Sequence, residues 1–264
     1  MNNYIIISIF VFGLIFGSFI NCLIYRLRNE VSLWGRSFCP NCKKQINWYD
    51  NIPVFSFIIL KGRCRNCKKP ISWQYPLLEF LFALFATLIF INLLSDFAYP
   101  KYLSTDFAIN YLRDFIFLFV LAIVFVYDFK WQEVPMIIVW PAIAIMILFS
   151  WFLGSSITTI LISSAATSLF FLLQFILTKK RGVGEGDIWL GALLGARFVE
   201  ASLIIFSIFS TYIIGSVVAV YLMIKFGKKL KSKVPLGPFM VVASLLTIFV
   251  GNMVVNWYLN MLNF

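Results

Sequence analysis

Two carboxylates stand at the ends of apolar runs, where an ionisable side chain in a membrane helix is costly and marks a functional site by default. Asp128 closes the run 115–127, in Phe125-Val126-Tyr127-Asp128-Phe129-Lys130. Asp187 opens another, in Gly184-Glu185-Gly186-Asp187-Ile188-Trp189. Lys130 flanks the first, and Lys179, Lys180 and Arg181 flank the second. Loops rich in Lys and Arg stay on the cytoplasmic side, so both acids are expected at one membrane face. Two carboxylates at one depth cannot both ionise easily when close, which leaves one charged and one protonated. The charged member takes a proton from water as it attacks a carbonyl; the protonated member hydrogen-bonds the carbonyl oxygen and later assists the leaving nitrogen. The chain has no histidine, which excludes every His-based triad and every His-ligated metalloprotease.

A second cluster offers metal chemistry. Cys39-Pro40-Asn41-Cys42 and Cys64-Arg65-Asn66-Cys67 are two C-x-x-C knuckles with 21 residues between them. Four thiolates so spaced match a tetrahedral structural zinc site, and a cytosolic setting disfavours disulfides. A site closed by four cysteines folds the segment around it and performs no reaction. Cys22, inside the first apolar stretch, reads as a small buried residue.

The elements that must hold these groups are membrane helices. The 264 residues are 61% hydrophobic and 12% charged, a composition that excludes an ordinary soluble domain. The expected fold is an all-α polytopic membrane protein with about eight spans, at 4–25, 75–94, up to 127, 136–153, 157–178, from 187, 203–224 and 236–258. The segment 1–29 supplies the first span and lacks a basic n-region or cleavage site, so it is expected to be retained. Residues 30–74 form a cytosolic, zinc-ribbon-like four-cysteine insertion, and 75–264 the bundle that carries the acids. Span six is short, since only about ten residues separate Asp187 from Arg197. It must thin the bilayer, continue past Arg197, or be shielded by its neighbours. No internal repeat stands out. Of the 22 Lys and Arg, nineteen fall in segments assigned to one side, including the run 225–233. That asymmetry explains the net charge of +11 through membrane lipid, without a nucleic-acid partner.

Each acid also has a plain alternative. Asp128 at a helix end pairs with Lys130, and Asp187 serves as an N-cap. Gly182, Gly184 and Gly186 relax the backbone before Asp187 and leave room for a peptide, which makes Gly184 and Gly186 candidate substrate contacts. A transporter using the acids as a proton or cation relay is the non-enzymatic alternative.

In order along the chain, several motifs resemble the type IV prepilin peptidase family. They are Gly17-Ser18-Phe19-Ile20-Asn21-Cys22, both cysteine knuckles, Asn51-Ile52-Pro53 between them, and Tyr75-Pro76-Leu77-Leu78-Glu79. Asp128 with Val134-Pro135, Gly184-Glu185-Gly186-Asp187, and Pro235-Leu236-Gly237-Pro238 complete the set. The resemblance implies a bifunctional enzyme of the bacterial inner membrane. It would cut the basic leader from a prepilin or pseudopilin after glycine, at the cytoplasmic face, with Asp128 and Asp187 as catalysts. It would also methylate the new amino terminus from S-adenosylmethionine. Glu79 is the candidate to hold the substrate's new ammonium, its alternative being a counter-charge for nearby Lys and Arg. The chain departs from the family pattern at Trp189, where lysine is usual, and at Met136, where Asp or Asn is usual. Tyr127-Asp128 with G-x-G-D also fits presenilin-like and signal-peptide-peptidase-like proteases, but their closing Pro-Ala-Leu is absent. Which prepilin is cut, and whether copies of the chain form a homo-oligomer, the sequence leaves open.

Overall fold

The computed structural model describes residues 3–96, 104–179, 182–226 and 235–262. Lys101, Lys180, Arg181 and most of the basic run 225–233 lie outside them. The described residues are helical apart from loops, with no strand and two isolated β-bridges. Six helices are long and apolar enough to cross a membrane by length and composition. One shorter apolar helix, Met136–Phe152, stands where the fourth span is expected, and a 14-residue helix, Glu185–Phe198, where the sixth is expected.

Packing divides the chain into two compact units, Met1–Ser95 and Asp96–Phe264, a division at 95/96 and not at 74/75. The first unit is built on α1 (Asn3–Arg28) and α3 (Gln74–Asp96), with the short α2 (Phe55–Ile59) between them in the chain. Small residues let these helices touch. A β-carbon on Gly13 would come within 2.6 Å of Ala83 Cα, and one on Gly17 within 2.6 Å of Glu79 Cα. One turn further, Asn21 Nδ2 donates to the Tyr75 carbonyl at 3.2 Å while Gln74 Nε2 donates to Asn21 Oδ1 at 3.1 Å. The pairs 13/83, 17/79 and 21/75 fix an antiparallel register. Between the helices the chain is held by buried Arg26, whose guanidinium donates to the carbonyls of Ser32, Leu33, Gly35 and Arg36. A fork of five fixed donors suits a loop that otherwise has unpaired carbonyls.

The second unit holds α4 (Thr105–Trp131), α5 (Met136–Phe152), α6 (Ile157–Leu177), α7 (Glu185–Phe198), α8 (Ala201–Phe226), α9 (Gly237–Leu246) and α10 (Asn252–Leu262). A π-helical turn, Thr247–Gly251, joins the last two. Phe117, Leu121 and Val124 of α4, Met146 of α5, Phe171 of α6, Leu193 of α7 and Met240 of α9 share its core. Helix α7 resolves the short sixth span. Its 14 residues rise only about 21 Å, less than a hydrocarbon core of about 30 Å. It does not continue past Phe198, where a γ-turn at Val199 (φ 56°, ψ −46°) turns the chain into α8. Shielding is what makes it viable, because eight of the nine residues from Leu190 to Phe198 are buried.

Gly191 and Gly195 bring α7 onto α6, where a β-carbon at Gly195 would meet Ser164 Cα at 2.6 Å. Three serines then bond its carbonyl edge: Ser164 Oγ to Ala192 (2.9 Å), Ser150 Oγ to Ala196 (2.8 Å) and Ser163 Oγ to Val199 (2.6 Å). At its far end Arg197 forms a buried pair with Asp114 of α4 at 2.5 Å, and Arg113 adds a second contact at 3.1 Å. A cation in the last turn also suits the helix dipole. Trp189, standing where lysine is usual in the resembled family, makes an edge contact with Trp140 of α5, ring centres 5.7 Å apart.

Candidate active site and metal centre

Asp128 lies one turn before the end of α4, whose last turn closes with Gln132 in the left-handed conformation and its N–H on the Asp128 carbonyl. Asp187 lies in the first turn of α7. It is not the N-cap that the sequence offered as its alternative: Gly184 is the cap, and Asp187 Oδ2 accepts the Gly184 N–H at 2.8 Å. The two ends meet. A β-carbon on Gly186 would overlap Val134, with Val134 Cβ at 2.7 Å, so the turn after α4 rests directly on the turn before α7. Asp128 and Asp187 are both buried, at 5% and 6% exposure.

The two carboxylates are not equivalent. Asp187 sits at the positive end of a helix dipole and accepts a backbone N–H, both of which favour its charged form. Asp128 sits at the negative end of α4, and its Oδ2 is buried without a hydrogen-bond partner among the described residues. An unpartnered buried oxygen is better suited to carry a proton than one already accepting an N–H. No ion pair with Lys130 occurs among the described residues; Lys130 lies over the Trp131 ring instead. Gly184 and Gly186 are both engaged locally, Gly184 through its N–H and Gly186 through the Val134 contact.

The four cysteines come together as spaced. Their sulfurs all lie within 4.8 Å of one another, and Cys39 Sγ is 3.9 Å from Cys67 Sγ. Zinc–sulfur bonds of about 2.3 Å in a tetrahedron set sulfurs about 3.8 Å apart, so the donor set fits zinc. The knuckles are copies of each other. In each, the second lysine's carbonyl accepts from the first cysteine (Cys39 N–H to Lys44 and Cys64 N–H to Lys69, both 2.9 Å). Lys43 and Lys68 take positive φ, 61° and 58°, and the bridges Phe38–Gln45 and Arg63–Pro70 close the two turns. The sequence carries the same copy, Cys-x-Asn-Cys-Lys-Lys-x-Ile-x-Trp at 39–48 and again at 64–73. This short internal repeat corrects the expectation of none. The thiols already compete for charge. The N–H of Cys67 pulls Cys64 down to about 7. Cys67, despite the Lys69 N–H that pulls it down, is pushed up to about 11 by burial and the thiols of Cys64, Cys42 and Cys39. A divalent cation at the centre would relieve that competition.

Glu79 is buried on α3 and accepts the N–H of Val54 at 2.7 Å. Val54 is the centre of a γ-turn (φ 62°, ψ −51°), with the Phe55 N–H on the Pro53 carbonyl at 2.6 Å. A β-branched residue there is strained, and Glu79 holds it. The counter-charge alternative finds no support, since no Lys or Arg pairs with Glu79 among the described residues. Sequence reasoning missed both this link and the packing of Gly237 against Asp128, because neither partner is near the other in the chain.

Comparison with known proteins follows the two compact units. Residues 11–93 match the bacterial peptidase A24 N-terminal domain, and residues 115–220 match the type IV leader peptidase family. The chain is 29% identical to a prepilin leader peptidase/N-methyltransferase of Vibrio cholerae, over 78% of this chain and 84% of that protein. It is 27% identical to the protein of the same name from Legionella pneumophila, over 97% and 94% of the two chains. A shorter stretch, 27% of this chain and 34% of the relative, is 41% identical to the Klebsiella pneumoniae protein of that name. No solved structure matches the chain.

Proposed function

Because the chain belongs to the type IV leader peptidase family, we propose that it cuts the leader from prepilin-like substrates with Asp128 and Asp187 and methylates the amino terminus so exposed. The observation that carries the reading is the pair of buried acids in opposite settings, one bonded to an N–H at a helix start and one with an unpartnered oxygen at a helix end. Asp187, charged, takes the proton of a water whose oxygen attacks the carbonyl carbon of the glycine before the cut. Asp128, protonated, hydrogen-bonds the carbonyl oxygen and gives up its proton as the tetrahedral species forms. Collapse breaks the C–N bond as the proton held by Asp187 passes to the departing nitrogen and a hydroxyl proton of the tetrahedral species returns to Asp128. Gly184 and Gly186, lacking side chains, border the approach of the peptide to this pair. The distribution of Lys and Arg supports a reaction at the cytoplasmic face of the inner membrane.

Cys39, Cys42, Cys64 and Cys67 hold a structural zinc ion, which supplies no step of either reaction. The methyl donor is S-adenosylmethionine by kinship with the named N-methyltransferases. Glu79, at the strained turn of the first unit, is the group we place near the substrate's new ammonium.

The test is cleavage of purified prepilin with the new amino terminus sequenced. Asp128→Asn and Asp187→Asn are each expected to slow cutting about 10³-fold while methylation of pre-cleaved substrate persists. Retained cutting in either variant removes that residue from the catalytic pair.

A further inference from the structure

The reaction so described uses two carboxylates and leaves the amino end of α9 without a part. Gly237 is the first residue of that helix and is buried together with Pro238. A β-carbon on Gly237 would overlap Asp128 Oδ2 and lie 3.1 Å from Asp128 Cγ and 3.3 Å from its Cβ. The carboxyl group of Asp128 therefore occupies the space that any side chain at position 237 would need. That same Oδ2 is the buried oxygen without a hydrogen-bond partner.

The first turn of α9 has few donors to offer. Pro238 has no N–H, and the N–H groups of Phe239 and Met240 are both spent on the Leu236 carbonyl, at 3.0 and 3.1 Å. Gly237 keeps the remaining one, and it is directed to the Asp128 carboxyl. Helix α9 thus presents its positive end, its one remaining first-turn donor and a missing side chain to a single acid. A carboxyl lodged this way is held in orientation while one of its oxygens waits for a partner.

We propose that Gly237 is a positioning residue for Asp128, the absent side chain being the seat that aims the carboxyl at the reacting carbonyl. The proposal rests on the catalytic role proposed for Asp128. A methyl group at 237 would rotate the carboxyl out of its seat, and misplacement by about 1 Å costs on the order of 10²-fold in rate.

Gly237→Ala is therefore expected to lower kcat for cleavage about 100-fold. KM is expected to stay unchanged, as is methylation of pre-cleaved substrate. Gly215→Ala is the packing control. Its β-carbon would meet Phe239 Cδ2 at 3.1 Å, where α8 packs on the same helix α9 but away from the acid, and kcat should not change. Thermal unfolding in detergent tests the contact even if activity is lost through poor folding. Gly237→Ala should lower Tm in the parent protein but not in an Asp128→Ala background, where the carboxyl is gone. Full kcat in Gly237→Ala, or an equal drop in Tm in both backgrounds, overturns the proposal. Cleavage retained by Asp128→Asn in the same assay would instead sink the catalytic reading, while the Tm coupling would still judge the contact alone.

Discussion

Cys39, Cys42, Cys64 and Cys67 are gathered by a short stretch of chain that makes the same turn twice, each turn closing its own hydrogen bonds. Asp128 and Asp187 are gathered by the ends of α4 and α7, which meet only because Val134 rests on Gly186 and α7 is sheathed by α5 and α6. The first site is held by local backbone geometry. The second depends on helices that must pack before any acid finds its partner. Damage to the cysteine site should therefore stay local, whereas the acid site should feel changes far along the bundle.

Removing the zinc proposed for the four cysteines should produce the largest effect. A structural zinc is worth about 10–16 kcal/mol in small cysteine sites, so a chelator or Cys64→Ser should unfold the stretch 37–73. Hydrogen exchange there should rise to that of an open chain, while α4–α9 keep their protection. Loss of protection in the bundle as well would break the contrast between the two regions. Next come the acids. Asp128→Asn or Asp187→Asn should slow cleavage by about 10³-fold, within the usual range for a lost acid or base, with one bound zinc per chain still measured. A fall in zinc content would mean that the two sites are coupled.

Smaller effects should follow from the supports of α7. Asp114→Asn leaves Arg197 buried without its partner, and breaking such a pair costs about 3–5 kcal/mol, read as a lower Tm. Replacing both residues with apolar ones of similar size should recover most of that loss. Ser164→Ala removes one hydroxyl from the Ala192 carbonyl and should cost about 0.6 kcal/mol, near the average for such bonds in a membrane bundle. A loss several times larger would show that α7 depends on each serine separately.

The chemistry was legible in the residues themselves. C-x-x-C twice over limits the ligands to sulfur, and an acid at each of two apolar boundaries is costly enough to stand out. The span order was legible as well, because a run of about 20 apolar residues has one cheap solution in a bilayer. The repeated knuckle lay open in the sequence too, but ten residues of shared pattern are easily hidden by what lies between the copies. Span six was legible as a problem and not as an answer: Gly191 and Gly195 read as unremarkable until Ser163, Ser164 and Thr167 are seen against them.

What the sequence determined, then, is which groups are available and which segments must be helices, since cost in lipid and ligand chemistry are properties of single residues and short runs. Tertiary structure alone decided that Asp187 Oδ2 accepts an N–H while Asp128 Oδ2 has no partner among the described residues, that Glu79 holds Val54, and that Gly237 faces an acid. Those facts depend on which helix ends come within a few ångströms. Packing selects that arrangement from many that the same pattern of apolar runs would permit.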